Sequence, residues 1–337
     1  MAIAEAIVPL HVVLRNRPSL ILVFFFSVDI AIATAKERHE TYIDCDHRFR
    51  LRARAYDMRC QCAFRFLHGF REKGLSASGS GREVTTRDHG ASSGWTFSEG
   101  TDEYRGFVLD NVLRSSTQGN IHFNLYVPDS YDGTKPYALF VTLPGYQGLH
   151  FQGVGISLRT EEFGFVVQDY NRNMIIAAPQ LDDWGDTSAK QTIELTEYLL
   201  DAYNIDRNKV YGEGYSGGGE TMSRVMGMRP ELFSAYLQCA SQFDGDIEVL
   251  AKARTPVRLV VGAHDEYYGA QPSQETYDRL HALYRDQGLT DTQIDRILVL
   301  DVRPDSYFSS QDISNQHGRG GHLFANDSDI MGWLFNR

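Results

Sequence analysis

Apolar and polar positions follow two rhythms along this chain, and their order predicts its architecture. Tyr104 to Leu113 and Ile121 to Val127 are alternating, β-rich runs joined by a turn containing Gly119-Asn120, which predicts an antiparallel hairpin. Tyr137 to Leu143 (YALFVTL) and Met174 to Ala178 are continuous apolar runs, as expected of strands covered on both faces. Val210-Tyr211, Ala235 to Ala240, Val257 to Gly262 and Ile297 to Val302 read as further strands. Helical stretches lie between them: residues 160–171, then Thr187 to Tyr203 with Leu195, Tyr198, Leu199 and Ala202 on one face, Glu220 to Met228, and Gln274 to Gln287. A last helix starts at about Asp327, and Pro304 to Asn326 reads as a loop. Strands alternating with helices predict an α/β chain: a doubly wound, mostly parallel sheet with an antiparallel N-terminal hairpin. Sites in such a sheet lie at the carboxyl ends of its strands.

Charge divides the chain. Residues 1–90 hold 14 Lys and Arg against 10 Asp and Glu, and the remainder holds 19 against 34, so the formal charge of −11 belongs to the C-terminal part. That acidic part argues against a nucleic-acid partner, because phosphate binding needs clustered cations. The predicted division is a leader over 1–94 and a catalytic domain over 95–337. Within the leader, Leu20 to Phe26 follows Arg15 and Arg17 and precedes Ala33-Thr34-Ala35, the outline of a secretory signal peptide over 1–35. A cleaved signal would make the protein secreted; otherwise the chain is expected in the cytoplasm. The apolar run is too short and too broken for a stable membrane span. Residues 36–94 form a basic segment with Ser/Gly linkers at 76–81 and 90–94. Its Cys45, Cys60 and Cys62, with His39, His47 and His68, match no standard zinc spacing, so no metal is expected there. Cys239 stands in an apolar stretch and reads as a buried thiol.

The chemistry concentrates around residues 209–229, KVYGEGYSGGGETMSRVMGMR. A strand, a Gly-x-Ser-x-Gly turn at 214–218 and a helix succeed one another, the setting in which Ser216 is a candidate nucleophile. The turn must be sharp enough to lift the hydroxyl clear of the sheet, and Gly214 and Gly218 leave room for it. A helix starting beside the serine aims free N–H groups at developing negative charge. Serine needs a base, and the base needs an orienting carboxylate; in this arrangement the acid and then the histidine follow in chain order. Asp265, at the end of the strand Val257–Gly262, is the expected acid, with Glu266 the alternative. His317 and His322 share the glycine-rich stretch before the last helix, and glycine content does not choose between them. The oxyanion donors are expected to be the backbone N–H groups of Gly217 and Tyr146, the latter in the Pro144-Gly145-Tyr146 turn. Trp184, Tyr146, Tyr267 and Tyr268 supply aromatic groups for an apolar acyl or aryl pocket at the same edge.

From Tyr104 to Arg337 the chain resembles the α/β-hydrolase superfamily, and within it esterases of the polyhydroxybutyrate depolymerase-like and prolyl-oligopeptidase-like groups. The resemblance rests on LPGYQG at 143–148, GYSGGG at 214–219, GAHDEYYG at 262–269 and the histidine segment ahead of WLF at 333–335. One departure is Pro144, where relatives often carry His before the oxyanion glycine. The resemblance implies an α/β-hydrolase fold and a serine hydrolase without metal or organic cofactor. The spacing ahead of the terminal Trp-Leu in similar esterases favours His317 over His322. The expected activity is carboxylesterase, on a small-molecule or polymeric ester; a prolyl-oligopeptidase-type peptidase and a non-catalytic hydrolase-fold binding protein are the alternatives. Acyl and alcohol preference and oligomeric state are not legible.

Overall fold

The computed structural model describes residues 86–87, 94–160 and 162–336. The expected signal peptide, the basic leader up to residue 85 and the Cys45, Cys60 and Cys62 group lie outside the described residues. A single mixed sheet of eleven strands organises the rest. In chain order these are β1 (Thr86–Arg87), β2 (Trp95–Ser98), β3 (Asp102–Tyr104), β4 (Phe107–Ser115), β5 (Gly119–Tyr126), β6 (Tyr137–Leu143), β7 (Met174–Gln180), β8 (Ile205–Tyr215), β9 (Ala235–Cys239), β10 (Val257–Gly262) and β11 (Leu298–Arg303). Across the sheet they run β1-β2-β4-β5-β7-β6-β8-β9-β10-β11, with β3 paired to β4. The pairs from β7 to β11 are parallel, while β1 to β5 are antiparallel and join the parallel part through β5 and β7. The predicted hairpin is β4–β5, widened by three short strands. Tyr104 and Phe107 belong to separate strands because Arg105 and Gly106 both take positive φ, 50° and 87°, and turn the chain between them.

The helices are α1 (Ser157–Thr160), α2 (Phe163–Tyr170), α3 (Asp186–Ala202), α4 (Gly217–Met228), α5 (Ile247–Ala253), α6 (Gln271–Asp286), α7 (Asp291–Ile297), α8 (Asp305–Ser309), α9 (Gln316–Asn326) and α10 (Ser328–Phe335). They cover both faces of the sheet, which is why its central strands are mostly apolar; Glu213, Gln238 and Arg258 are buried exceptions. Strand periodicity divides each one between two cores. Leu139, Val141 and Leu143 of β6 face the side of α3, α4, α5 and α6, whereas Ala138 and Phe140 face α2, α9 and α10. Leu259 and Val260 of β10 divide the same way. Cys239 is buried at the end of β9. No helix among the described residues is long and apolar enough to cross a membrane.

Strand order places the site. From β6 the chain returns to the sheet at β7 on one side and then at β8 on the other. The segments leaving the carboxyl ends of β6 and β8 therefore diverge, and a crevice opens between them, the place where ligands bind in open α/β sheets. Pro144–Tyr146 follows β6 and Ser216 follows β8.

Candidate active site

Ser216 sits between β8 and α4 with φ 53° and ψ −125°, a left-handed backbone rarely adopted by a residue with a side chain. Its surroundings hold it there. Its N–H donates to Cys239 O at 3.0 Å, and its carbonyl accepts from Gly219 N at 2.9 Å and from Ser241 Oγ at 2.6 Å. Side chains at the flanking glycines would collide with backbone: a Cβ on Gly214 would lie 2.7 Å from Gly218 O, and one on Gly218 would lie 2.2 Å from Leu143 O and Pro144 O. The second collision also shows how closely the end of β6 approaches the start of α4.

His317 Nε2 lies 3.0 Å from Ser216 Oγ, and His317 Nδ1 lies 2.9 Å from Asp265 Oδ2. Asp265 is buried, and its other oxygen accepts from the N–H groups of Tyr267 and Tyr268 at 3.0 and 2.9 Å. The carboxylate is thus held from one side by its own turn and directed at the imidazole from the other. The ring of Tyr267 stacks on His317 with centroids 5.2 Å apart, and Tyr215 flanks it at 6.0 Å. The Tyr215 hydroxyl donates to His317 O.

The segment carrying the histidines differs from the expected loop. Most of it is helical, α8 and α9, and His317 is the second residue of α9. Asn315 caps that helix by accepting from Gly318 N. The glycines permit contact instead of flexibility: a Cβ on Gly321 would meet the Tyr215 ring at 3.0 Å. Helix geometry then separates the two histidines, because five residues turn the helix by about 140° beyond a full revolution. His322 points away from Ser216 and pairs with Glu162 Oε2 at 2.8 Å. The Glu266 carboxylate is engaged with backbone: its two oxygens accept the N–H groups of Gln316 and His317 at 3.0 and 2.8 Å, anchoring the first turn of α9.

Tyr146 opens a 3₁₀ turn, Tyr146–Gly148, directly after β6, and this turn contacts α4. Its side chain is 58% exposed, so it rims the crevice without filling it. The Trp184 ring lies against the start of α4, where a Cβ on Gly217 would come within 2.7 Å of it. Tyr268 is the least legible contributor. Its hydroxyl donates to Glu220 Oε1 at 2.8 Å and lies near enough to Ser216 for the serine hydroxyl to act on the phenol. Burial and the Glu220 carboxylate push the Tyr268 phenol well above its ordinary value, so it remains a donor. Burial raises Glu220 as well. Glu220 lies one helical turn beyond the serine, and that spacing is the signal that could have found it.

The fold is that of the α/β-hydrolases, and the linked hydroxyl, imidazole and carboxylate on a strand–turn–helix elbow are the arrangement of a serine hydrolase. Comparison with known proteins agrees at that level. Residues 180–294, which include Ser216 and Asp265 and stop short of His317, match the prolyl oligopeptidase family. Among solved structures, a thermostable esterase is similar at 20% identity and a TM-score of 0.56, over 68% of this chain and 63% of that one. Oligopeptidase B from Leishmania major aligns at 14% identity and a TM-score of 0.46, over 71% of this chain and 40% of its own. The methylesterase BT1017 aligns at 14% identity and a TM-score of 0.48, over 70% and 59%. The chain thus spans less than two thirds of each of these proteins. No curated protein matches the sequence significantly. The similarity is therefore to the prolyl oligopeptidase family over residues 180–294, and to the thermostable esterase in fold.

Proposed function

We propose that this protein is a carboxylesterase that works through an acyl-enzyme on Ser216. The observation that carries this reading is the chain Ser216 Oγ, His317 Nε2 at 3.0 Å, and Asp265 Oδ2 at 2.9 Å from Nδ1, built on a serine held at positive φ. In the proposed reaction His317 Nε2 takes the Ser216 proton as Oγ attacks the ester carbonyl. Asp265 keeps Nδ1 protonated and stabilises the imidazolium that forms. The backbone N–H groups of Gly217 and Tyr146 receive the oxyanion, Gly217 with the help of the α4 N-terminus. His317 returns the proton to the departing alkoxide, so the alcohol leaves and the acyl group stays on Oγ. Water then attacks with His317 again as base, releasing the acid and restoring the serine.

An ester fits the aromatic surroundings. Trp184 at the start of α4, exposed Tyr146 and Tyr267, and Tyr268 beside Ser216 form an edge suited to an apolar acyl or aryl group. The match to the prolyl oligopeptidase family supports a second reading, cleavage of a peptide amide at the same serine. Hydrolysis of p-nitrophenyl butyrate and of a peptide p-nitroanilide by the full chain separates the two. The proposal expects much the larger kcat/KM for the ester, abolished in Ser216→Ala. Preference for the anilide would move the assignment to a peptidase. Ester turnover that survives Ser216→Ala would remove the nucleophile.

A further inference from the structure

Three further side chains with metal-ligand chemistry meet beside the crevice. Asp110 lies at the bulge in the β4–β5 ladder, His122 is on β5, and His150 is in the turn that follows Tyr146–Gly148. His122 Nδ1 lies 2.6 Å from Asp110 Oδ1, and His150 Nε2 lies 4.0 Å from the same oxygen. One ligand atom from each residue falls within 4.8 Å of the other two. We propose that Asp110, His122 and His150 bind one divalent transition-metal ion of the zinc type.

The backbone is built toward this point. Asp110 takes φ 54°, a left-handed conformation that costs free energy and turns its carboxylate out of the ladder toward His122. A buried amide network fixes that bulge to the turn bearing His150. Asp110 N–H donates to Asn124 Oδ1 at 3.2 Å, Asn124 Nδ2 donates to Gln180 Oε1 at 3.0 Å, and Gln180 Nε2 donates to Gly148 O at 3.4 Å. Asn124 and Gln180 are 0% and 3% exposed. Two strands and one turn are therefore held in register behind three ligands of different sequence origin.

Chemistry selects the ion. Two imidazoles and one carboxylate suit zinc and its neighbours, whereas calcium and magnesium prefer all-oxygen sets. Three protein ligands leave a fourth position for water. Metal bonds of about 2.0–2.1 Å place tetrahedral donors ~3.4 Å apart. From the observed 2.6 and 4.0 Å, each contact to Asp110 changes by less than ~1 Å to reach that spacing. The imidazole rings stack with centroids 3.9 Å apart and planes 27° from parallel, so one ring turns out of the stack when both nitrogens ligate one ion. His150 is four residues beyond Tyr146, so the ion would brace the segment proposed to hold the oxyanion; that consequence rests on the proposed function, while the binding itself does not.

Zn²⁺ titration calorimetry on the chelator-treated full chain, with Co²⁺ absorption for ligand type, tests the site. We expect one Zn²⁺ per chain, bound equally by wild type and Ser216→Ala, and affinity lower by ~100-fold or more in His122→Ala, His150→Ala and Asp110→Asn. Circular dichroism identifies any variant that fails to fold, and the folded remainder decide. Equal affinity in wild type and the folded variants overturns the proposal, as does the absence of saturable binding below millimolar Zn²⁺. A Co²⁺ spectrum with thiolate charge transfer that persists in the variants would assign the ion to Cys45, Cys60 or Cys62 and also overturn it. Because Ser216→Ala binds as wild type does, failure here is distinct from failure of the esterase reading.

Discussion

Glu266 gives a test of how the proposed base is held in place. Its carboxylate accepts the N–H groups of Gln316 and His317 at 3.0 and 2.8 Å, at the point where α9 begins. Those N–H groups belong to the first turn, which has no carbonyl partners within the helix. Hydrogen bonds to a charged group are worth ~1.5–3 kcal/mol each, and solvent screening of the exposed Glu266 takes the pair below that range, to about 2 kcal/mol in total. Glu266→Ala returns both donors to water and loosens the turn that fixes the His317 ring. If the reaction proceeds only with that turn docked, losing about 2 kcal/mol of docking lowers kcat by up to ~30-fold. KM should stay near wild type, because the Glu266 carboxylate bonds the Gln316 and His317 backbone and leaves the Tyr267 ring where it is. Glu266→Gln keeps one carbonyl acceptor and should fall between, at about 3–10-fold. Steady-state kinetics with p-nitrophenyl butyrate and the rate of phosphonate labelling at Ser216 should decline together. A Glu266→Ala kcat within twofold of wild type, or a rise in KM alone, would refute the reasoning.

Other outcomes follow from the same geometry. His317→Ala should cut ester turnover by ~10⁴-fold or more, whereas His322→Ala, which loses only an exposed pair with Glu162, should keep near-normal kcat; the reverse pattern would exchange the two. Gly218→Ala drives a methyl group into Leu143 O and Pro144 O and should cost ~1–3 kcal/mol in urea unfolding while depressing kcat; an active, equally stable variant would mean the turn is not closed as described. The Arg258 guanidinium bonded to Asp329 holds that carboxyl below its ordinary value. A depressed folded-state value means the pair stabilises above the unfolded carboxylate range and stops doing so as pH falls through the folded value. Asp329→Asn should therefore cost up to ~1 kcal/mol at pH 7, after screening of this exposed group, and progressively less as pH falls through the folded value; a gap independent of pH would contradict the pairing.

The parts of the fold that were legible are those where burial alone dictates residue type. β6, β7 and β10 are apolar because helices cover both faces, so their runs could be read directly. The Gly-x-Ser-x-Gly turn was legible because few backbones tolerate its crowding. Tertiary contacts decided the rest. Glycine is a poor helix former, so 315–322 read as a loop, yet Asn315 caps it and close contact with Tyr215 rewards a bare Cα at Gly321. α7 escaped notice because Ile294 is its one fully buried residue. Glu266 and Glu220 are ordinary acidic residues in sequence, and only the approach of α9 and of Tyr268 gives them partners. The cluster of Asp110, His122 and His150 was invisible for the same reason: its members come from two strands and a turn.

The central claim is that Ser216 is the nucleophile and His317 its base. The most direct measurement is intact-mass and peptide mapping after brief exposure of the full chain to a serine-directed phosphonate ester. The account predicts one adduct per chain, located on Ser216, formed slowly in His317→Ala and absent in Ser216→Ala. Stoichiometric labelling of another residue, or labelling of Ser216 at an undiminished rate in His317→Ala, would contradict it.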